Sequence, residues 1–304
     1  MKIGLIGINT LEKEEHFKLI RQSLHKNLFG LYSHSEDILP LSSNYHVKLF
    51  HSTNELFENV DAVYFAGSLK PNYDFALNAI KKSCHIYLED ISTLSFEQVK
   101  QLYKVAFEAR TKIQLKLTKS FTPEYIEVRD FLKQPKLIEI EKFFSKFLRH
   151  EEYFTEILNN LYFADQNIHS GVKKISSLVL PIDNNHFSLV HFRLDYDNGA
   201  VVNMKFNNIA NENKSKVTFH EKDRIIYIDF VKHFATKHRL TEGQISRREF
   251  NIPRQTAFNI EILNFINSCQ NLDMQNISES PTELKLIQVT HEIIERILQS
   301  SIPV

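Results

Sequence analysis

The sequence has 304 residues, a length typical of two domains. Its 37 basic and 37 acidic residues cancel, so it lacks the positive surplus that drives binding to nucleic acid or to acidic membranes. Hydrophobic residues make up 42% and charged residues 24%, which excludes the disordered and fibrous classes.

The first 120 residues alternate short apolar runs with amphipathic stretches, which is typical of parallel strands joined by helices. A helix is predicted over 74–82, and the capping box Ser95–Gln98 predicts another that ends near Arg110. The pattern predicts a doubly wound, Rossmann-type α/β domain over residues 1–121. Its predicted strands are 3–8, 29–32, 47–50, 62–66, 85–88 and 113–117.

After Pro123 the pattern becomes that of antiparallel strands. Apolar residues alternate with polar ones before Asn198–Gly199, which predicts a hairpin turn. We therefore predict an α+β domain over 122–304 with an open, mainly antiparallel sheet. Because one face of this sheet is apolar, we expect a homodimer or a dimer of dimers that covers it. The predicted elements are strands in 137–144 and 186–206, a hairpin over 216–230, and helices over 258–269 and 282–298.

The cysteines and the apolar runs bear on location. Cys84 and Cys269 are far apart and lack metal-ligand spacing, so we expect neither a disulfide scaffold nor a zinc site. This fits a reducing cytoplasm. No run approaches the about 18 apolar residues that span a bilayer. Acidic residues follow the apolar start at once, so we expect no secretory signal.

The first predicted strand runs into Gly7, where a dinucleotide-binding fold has its G-x-G-x-x-G turn. Gly7, Ile8 and Asn9 are the candidate cofactor-binding residues of this turn, but only the first glycine is present. Asn9 and Glu12 can instead cap the following helix, and two further glutamates in its first turn disfavour a diphosphate. A cofactor site and a purely structural turn are both open.

The second predicted strand ends in Ser33-His34-Ser35, where a ribose-binding acid would otherwise stand. Ser33 is therefore a candidate contact to the cofactor. Without the acid a 2′-phosphate is not repelled, so NADP is at least as compatible as NAD.

Five segments spread over the chain carry the pattern of a known family. His85–Ile91 stands where that family has a Glu-Lys-Pro signature, and Asp165–His169 matches its Asp-x-x-x-His. The other three are Val60–Ala66, Asn72–Ile80 and Phe121–Pro123. With the order of elements, these segments resemble the Gfo/Idh/MocA family of glucose-fructose oxidoreductases and inositol dehydrogenases.

The resemblance implies hydride transfer between NAD or NADP and a hydroxyl or carbonyl carbon of a small sugar-like or polyol substrate. In the family the signature Lys and the second-domain His flank the reacting carbon, and the Asp helps to hold the substrate. Carried over to this sequence, His169 and Asp165 are present, but Asp90 stands in place of the Lys. The remaining candidate cofactor residues are Ala66, Gly67, Asn72 and Glu89.

The missing lysine leaves two functions open. A positioned proton donor or acceptor is worth about 10² to 10⁴ in rate, and Asp90 replaces it only if burial or Glu89 raises the pKa of its carboxyl. The first function is an oxidoreductase in which Asp90 and His169 move the proton. The second is a catalytically inactive family member that serves as a ligand-sensing or scaffolding subunit.

Structural roles compete with the functional ones at two further positions. Asp165 and His169 are four residues apart and can form a local pair on one helix. Lys119 stands where the family often has a basic residue near the site, but the favoured interpretation is a solvated lysine. The sequence has no nucleophile elbow, phosphate loop or zinc-protease motif. We expect a small-molecule substrate, with no nucleic acid, membrane or metal partner.

Overall fold

A computed structural model describes residues 1–8, 13–35, 38–183, 186–271 and 281–299. The chain divides into two compact units. Unit 1 comprises Met1–Lys116 and Phe258–Lys285, and unit 2 comprises Leu117–Ala257 and Leu286–Val304. The first boundary of this division lies at Lys116, against the predicted residue 121, and the division also places the late segment Phe258–Lys285 in unit 1.

Unit 1 is built on a six-stranded, wholly parallel sheet in the order β3-β2-β1-β4-β5-β6. The order reverses between β1 and β4, which is the switch point at which doubly wound folds bind ligands. This confirms the predicted Rossmann-type sheet. The strands are β1 (Ile3–Ile6), β2 (Leu28–Tyr32), β3 (Lys48–Leu49), β4 (Ala62–Ser68), β5 (His85–Asp90) and β6 (Ile113–Leu115).

Helices connect the strands of this sheet. Their bounds are α1 (Glu14–Leu24), α2 (Leu39–Tyr45), α3 (Thr53–Asn59), α4 (Tyr73–Lys81) and α5 (Phe96–Ala109). The predicted capping box opens α5: the Gln98 amide donates to Ser95 Oγ at 3.3 Å, and the Ser95 amide donates to Gln98 Oε1 at 3.0 Å. A left-handed Arg110 ends this helix.

The returning segment of unit 1 is α8 (Ala257–Gln270). Its apolar face joins the core of the parallel sheet, with Ile262 and Phe265 fully buried beside Leu5 and Tyr64. The ring of Phe265 lies 5.6 Å from that of Tyr87 in β5. Burial of this face explains why the segment belongs to unit 1 although it follows unit 2 in the chain.

Unit 2 holds an eight-stranded sheet in the order β14-β13-β12-β11-β7-β10-β9-β8. Its strand pairs are antiparallel except for β7 and β10, which are parallel. The strands are β7 (Leu137–Phe143), β8 (Val172–Pro181), β9 (Phe187–Tyr196), β10 (Val201–Asn207), β11 (Lys214–His220), β12 (Arg224–Asp229), β13 (Phe234–Thr241) and β14 (Gln244–Glu249). The mainly antiparallel α+β unit is confirmed. The sequence pattern predicts that β7 is antiparallel to its neighbours, but it runs parallel to β10. The chain between these two strands forms a crossover that contains a helix and the β8–β9 hairpin.

The apolar face of this sheet is covered by the chain itself. The helices of unit 2 include α6 (Pro123–Arg129) and α7 (His150–Ile168), and α9 (Thr282–Gln299) continues into this unit. On α7, Tyr153 lies 6.3 Å from Phe206, and Phe163 lies 5.7 Å from Phe219. The expectation that a second subunit covers this apolar face is therefore wrong. Among the described residues no helix is long and apolar enough to cross a membrane.

Candidate active site

The turn after β1 requires glycine at its first position. Gly7 has φ of +105°, and a Cβ atom there would lie 2.2 Å from the carbonyl oxygen of Ala66. Only glycine combines this backbone conformation with so close an approach of the neighbouring strand. Ile8 is buried directly after it. Asn9 and Glu12, the residues expected either to bind cofactor or to cap α1, lie outside the described residues.

Glu89 is the centre of a charged network at the carboxyl ends of β4 and β5. Its Oε2 accepts a hydrogen bond of 2.8 Å from the Gly67 amide. Its carboxylate also lies 2.5 Å from Lys116 Nζ and 2.9 Å from His16 Nε2. Burial alone would raise the pKa of the Glu89 carboxyl, but the His16 hydrogen bond and the Lys116 charge outweigh it and lower that pKa to about 2. Glu89 is thus ionised and tightly held.

Positive groups surround this edge of unit 1. Lys13 Nζ donates to the Gly7 carbonyl at 2.9 Å, and a Cβ added to Gly67 would lie 3.9 Å from the same ammonium. The two ammonium groups of Lys13 and Lys116 outnumber the single carboxylate of Glu89. A glycine turn beside surplus positive charge at the switch point fits the diphosphate of a dinucleotide.

The acids expected to repel a diphosphate have other partners. The Glu14 carboxylate accepts a hydrogen bond of 2.7 Å from the Tyr45 hydroxyl and lies 3.3 Å from Lys18 Nζ. Glu15 lies 2.7 Å from the same ammonium. The single ammonium of Lys18 therefore compensates one of these two negative charges.

Three further candidates from the sequence occupy separate places in unit 1. Ser33 follows the end of β2, where its Oγ accepts a hydrogen bond of 3.1 Å from the Ser35 amide. Asn72 precedes α4 and is almost fully buried. Asp90 ends β5, and its Oδ1 accepts a hydrogen bond of 2.8 Å from the Ser92 amide. The structure thus brings together Gly7, Ala66, Gly67 and Glu89.

Asp165 and His169 lie at the C-terminal end of α7 in unit 2. The His169 amide donates to the Asp165 carbonyl at 3.0 Å, and His169 adopts a left-handed conformation with φ of +51° that ends the helix. The His169 side chain is exposed. Burial raises the pKa of the Tyr196 phenol, and the nearby charge of Asp165 raises it further.

Unit 2 also contains a cavity of about 250 Å³ on the α7 side of the sheet. Three charged residues line it: Lys119 from the turn after β6, Lys142 from β7 and Glu156 from α7. The remaining lining residues are Thr118, Thr122, Asn159, Ser215 and Phe230. Neither Asp165 nor His169 is among the lining residues. A small cavity with lysines, an acid and several hydroxyl groups is suited to a polar small molecule.

Lys119 is buried, so its interpretation as a solvated lysine is wrong. The residue is 9% exposed, and its amine donates a hydrogen bond to Asn160 Oδ1. The amine also lies 5.1 Å from the ring centre of Phe163 and 5.2 Å from that of Phe230. Burial first, and the charge of Lys142 second, lower the pKa of Lys119 well below its usual range.

Sequence analysis did not find Glu156 and Asn160, although α7 carries a signal for them. Glu156, Asn160 and Phe163 are spaced by four and three residues, which places them on one face of a helix. Asn160 is fully buried on that face, between the apolar residues Leu158 and Leu161. A polar residue inside an apolar stripe marks a site that needs a polar partner, which Lys119 supplies.

A family model matches the first 117 residues of the chain. Residues 1–117 match the model of the Gfo/Idh/MocA family, described as an oxidoreductase family with an NAD-binding Rossmann fold. No curated protein matches the sequence.

Many solved structures share the fold of nearly the whole chain. The UDP-N-acetylglucosamine 3-dehydrogenase of Acidithiobacillus ferrooxidans has a TM-score of 0.83 at 16% identity, over 99% of this chain and 98% of that one. A Gfo/Idh/MocA family oxidoreductase of Vibrio cholerae has a TM-score of 0.75 at 11% identity, over 99% and 97%. Biliverdin reductase of Synechocystis, solved with biliverdin and NADP+, has a TM-score of 0.69 at 12% identity, over 98% of each chain.

At these identities the structural likeness shows a common fold, and the family match covers residues 1–117. The family binds NAD(P), which the glycine turn and the positive edge of unit 1 fit. The catalytically inactive alternative receives no support from these comparisons. Residues 1–117 thus match the Gfo/Idh/MocA oxidoreductase family with its NAD-binding Rossmann fold, which is the family that the sequence predicts.

Proposed function

We propose that the protein is an NAD(P)-dependent oxidoreductase that interconverts a hydroxyl and a carbonyl group on a sugar-like or polyol compound. The observation that carries this proposal is the family match to an NAD-binding domain whose switch-point turn requires glycine at Gly7. The polar cavity of unit 2 supports a small hydroxylated substrate. The sugar-nucleotide substrate in the name of the Acidithiobacillus dehydrogenase supports the same class.

The residues proposed to hold the cofactor lie at the carboxyl edge of the parallel sheet. The backbone at Gly7 and Gly67 leaves room for a close approach, and Lys13 offers a positive charge to a diphosphate. The nicotinamide supplies the hydride acceptor or donor when bound. Because Ser33 replaces the ribose-binding acid after β2, both NAD and NADP are proposed ligands.

His169 and Asp90 are proposed to move the proton, with Asp165 orienting the substrate. The sequence resemblance supports these roles for Asp165 and His169. Asp90 departs from the family's lysine, and replacement of a cation by an anion changes the local charge by two units. We therefore expect slow turnover by the usual route, since a positioned proton donor or acceptor is worth about 10² to 10⁴ in rate.

Fluorescence titration with NADH and with NADPH tests the proposal directly. The expected result is saturable binding of at least one of the two. The test variant is Gly7→Ala. Its added Cβ would displace the Ala66 carbonyl and should weaken nucleotide binding. If neither nucleotide binds at millimolar concentration, the proposed function is refuted.

We also propose a cytoplasmic homo-oligomer, a dimer or a tetramer. Two buried free thiols, Cys84 and Cys269, support a reducing compartment, and burial raises the pKa of these thiols to about 11 and about 12. Light scattering at micromolar concentration tests the assembly, and a strictly monomeric species would count against it.

A further inference from the structure

Two lysines and one glutamate line the unit 2 cavity. Lys142 forms an ion pair with Glu156, so these two lining residues compensate each other. The amine of Lys119 instead donates to the neutral amide of Asn160. Among the described residues, none supplies a carboxylate within 4.0 Å of the Lys119 amine. A protonated Lys119 therefore leaves one uncompensated positive charge in the wall of the cavity.

The surroundings of Lys119 show which form of the amine the free protein prefers. The charged groups that face it are Lys142 from β7 and Glu156 from α7. The start of α6, strand β11 and the turn after β12 contribute only Thr122, Ser215 and Phe230 to the same cavity. Burial and the charge of Lys142 disfavour the ammonium more than Glu156 favours it, which lowers the pKa of Lys119. A buried anion beside the amine would reverse this preference.

We propose that the unit 2 cavity binds a hydroxylated monocarboxylate, chemically a sugar acid, with its carboxylate on the Lys119 ammonium. This inference rests on the proposed function, because it narrows the sugar-like substrate class to acids. A single negative charge matches the single uncompensated ammonium, whereas a phosphate monoester carries about −1.5 to −2 at pH 7. The hydroxyl groups of Thr118, Thr122 and Ser215 and the amide of Asn159 are suited to the hydroxyl groups of such a ligand.

The volume of the cavity is consistent with this class. At about 250 Å³ it lies just below the range of about 300 to 1,000 Å³ that is usual for drug-sized ligands. A six-carbon acid is correspondingly small. The aromatic rings of Phe163 and Phe230 flank the amine at 5.1 and 5.2 Å and restrict access of water to it, which strengthens an ion pair formed there.

Binding of the carboxylate must be linked to proton uptake. In the bound complex Lys119 is an ammonium, whereas in the free protein the lowered pKa of Lys119 favours the neutral amine. Each ligand therefore brings up to one proton from solvent. Affinity for the carboxylate therefore falls as the pH rises, because the amine of the free protein loses its proton.

Isothermal titration calorimetry of the full chain tests the inference with three probes: glucuronate, glucose and glucose 6-phosphate. We expect glucuronate to bind about ten- to a hundredfold more tightly than glucose, which is the usual value of a hydrogen bond to a charged group. Titration at pH 8 in HEPES and in Tris, whose ionisation enthalpies differ, measures the protons taken up. Net uptake is expected with glucuronate and none with glucose.

Two variants with the same chemical change separate the site from general charge effects. Lys119→Met should abolish the preference for glucuronate and the proton uptake. Lys205→Met removes a partly exposed lysine that pairs with Glu141 and does not line the cavity, so it should leave both unchanged. A thermal melt of each variant verifies folding, and Lys119→Met removes a buried amine without adding a polar group.

Three results would overturn the inference: equal binding of glucuronate and glucose, tighter binding of glucose 6-phosphate, or glucuronate binding that Lys119→Met leaves intact. Failure of all three probes to bind would also overturn it. Titration of the same preparation with NADH and with NADPH keeps this failure distinct from failure of the proposed function. Nucleotide binding without carboxylate binding refutes only the inference, whereas absence of nucleotide binding refutes the oxidoreductase itself.

Discussion

Neutralising Glu89 should destabilise unit 1 in a way that depends on pH. The Glu89 side chain is 8% exposed and contacts Lys116, His16 and the Gly67 amide. Its pKa falls from the ordinary 4.5 to about 2 in the folded chain. At 1.36 kcal/mol per pH unit, this difference corresponds to about 3 kcal/mol of unfolding free energy near neutral pH. We expect Glu89→Gln to lose a stability increment of that order.

The sign of the pH dependence distinguishes this charge effect from a packing effect. Because the folded-state pKa of Glu89 is depressed, its contribution is complete above about pH 4.5 and is lost as the pH falls through about 2. The difference in stability between the wild-type protein and Glu89→Gln should therefore be largest near neutral pH and shrink across that window. A pure packing defect would give a difference that is independent of pH.

Urea denaturation at pH values from 2.5 to 7 measures this difference. The matched control is Glu15→Gln, the same change at a carboxylate of unit 1 that is 84% exposed and pairs with Lys18. No measurable pH-dependent difference is expected for the control, because exposed ion pairs are screened by solvent. A constant offset for Glu89→Gln from pH 2.5 to 7 would refute the assignment of Glu89 as a compensated, ionised carboxylate.

Three further outcomes are expected. Gly7→Ala should lower the unfolding free energy, measured by urea denaturation, by about 2 to 4 kcal/mol through strain and overpacking. Gly199 has φ of +78° and no atom within 4 Å of an added Cβ, so Gly199→Ala should lower it by only about 1 kcal/mol. Because the pKa of Lys119 is depressed in the folded chain, the unfolding free energy of the wild type should rise with pH below pH 10.5, by at most about 1.4 kcal/mol per pH unit. Lys119→Met should remove this pH dependence, and an unchanged dependence would contradict the depressed pKa. Asp90→Lys should raise NAD(P)H-linked turnover of a sugar or polyol by about 10² to 10⁴, and an unchanged rate means that the site is misplaced.

The parallel half of the fold could be predicted because its strands are buried on both faces. Strands β1, β4 and β5 therefore appear in the sequence as short apolar runs separated by amphipathic helices. The capping box at Ser95 fixed the start of α5 independently of packing. The doubly wound order follows from such a pattern because crossover connections are restricted in handedness and length.

Much of unit 2 could not be predicted for an equally physical reason. Strand β14 is exposed along its whole length and β8 is largely exposed, so neither carries the alternation that marks a half-buried strand. Alternation also has the same period in parallel and antiparallel strands, so it cannot show that β7 runs parallel to β10. The burial of Lys119 depends on Phe163 and Phe230, which are distant from it in sequence.

The alternation of side chains along β5 decides what the Asp90→Lys experiment can show. Successive residues of a strand point to opposite faces, so Glu89 and Asp90 project in different directions. Glu89 contacts the Gly67 amide, His16 and Lys116, whereas Asp90 accepts a hydrogen bond from the Ser92 amide. With the Lys116 ammonium 2.5 Å away, Glu89 is already compensated and adds little negative charge at position 90. A lysine placed there is therefore not captured by Glu89, and a gain in turnover would report proton transfer at that position.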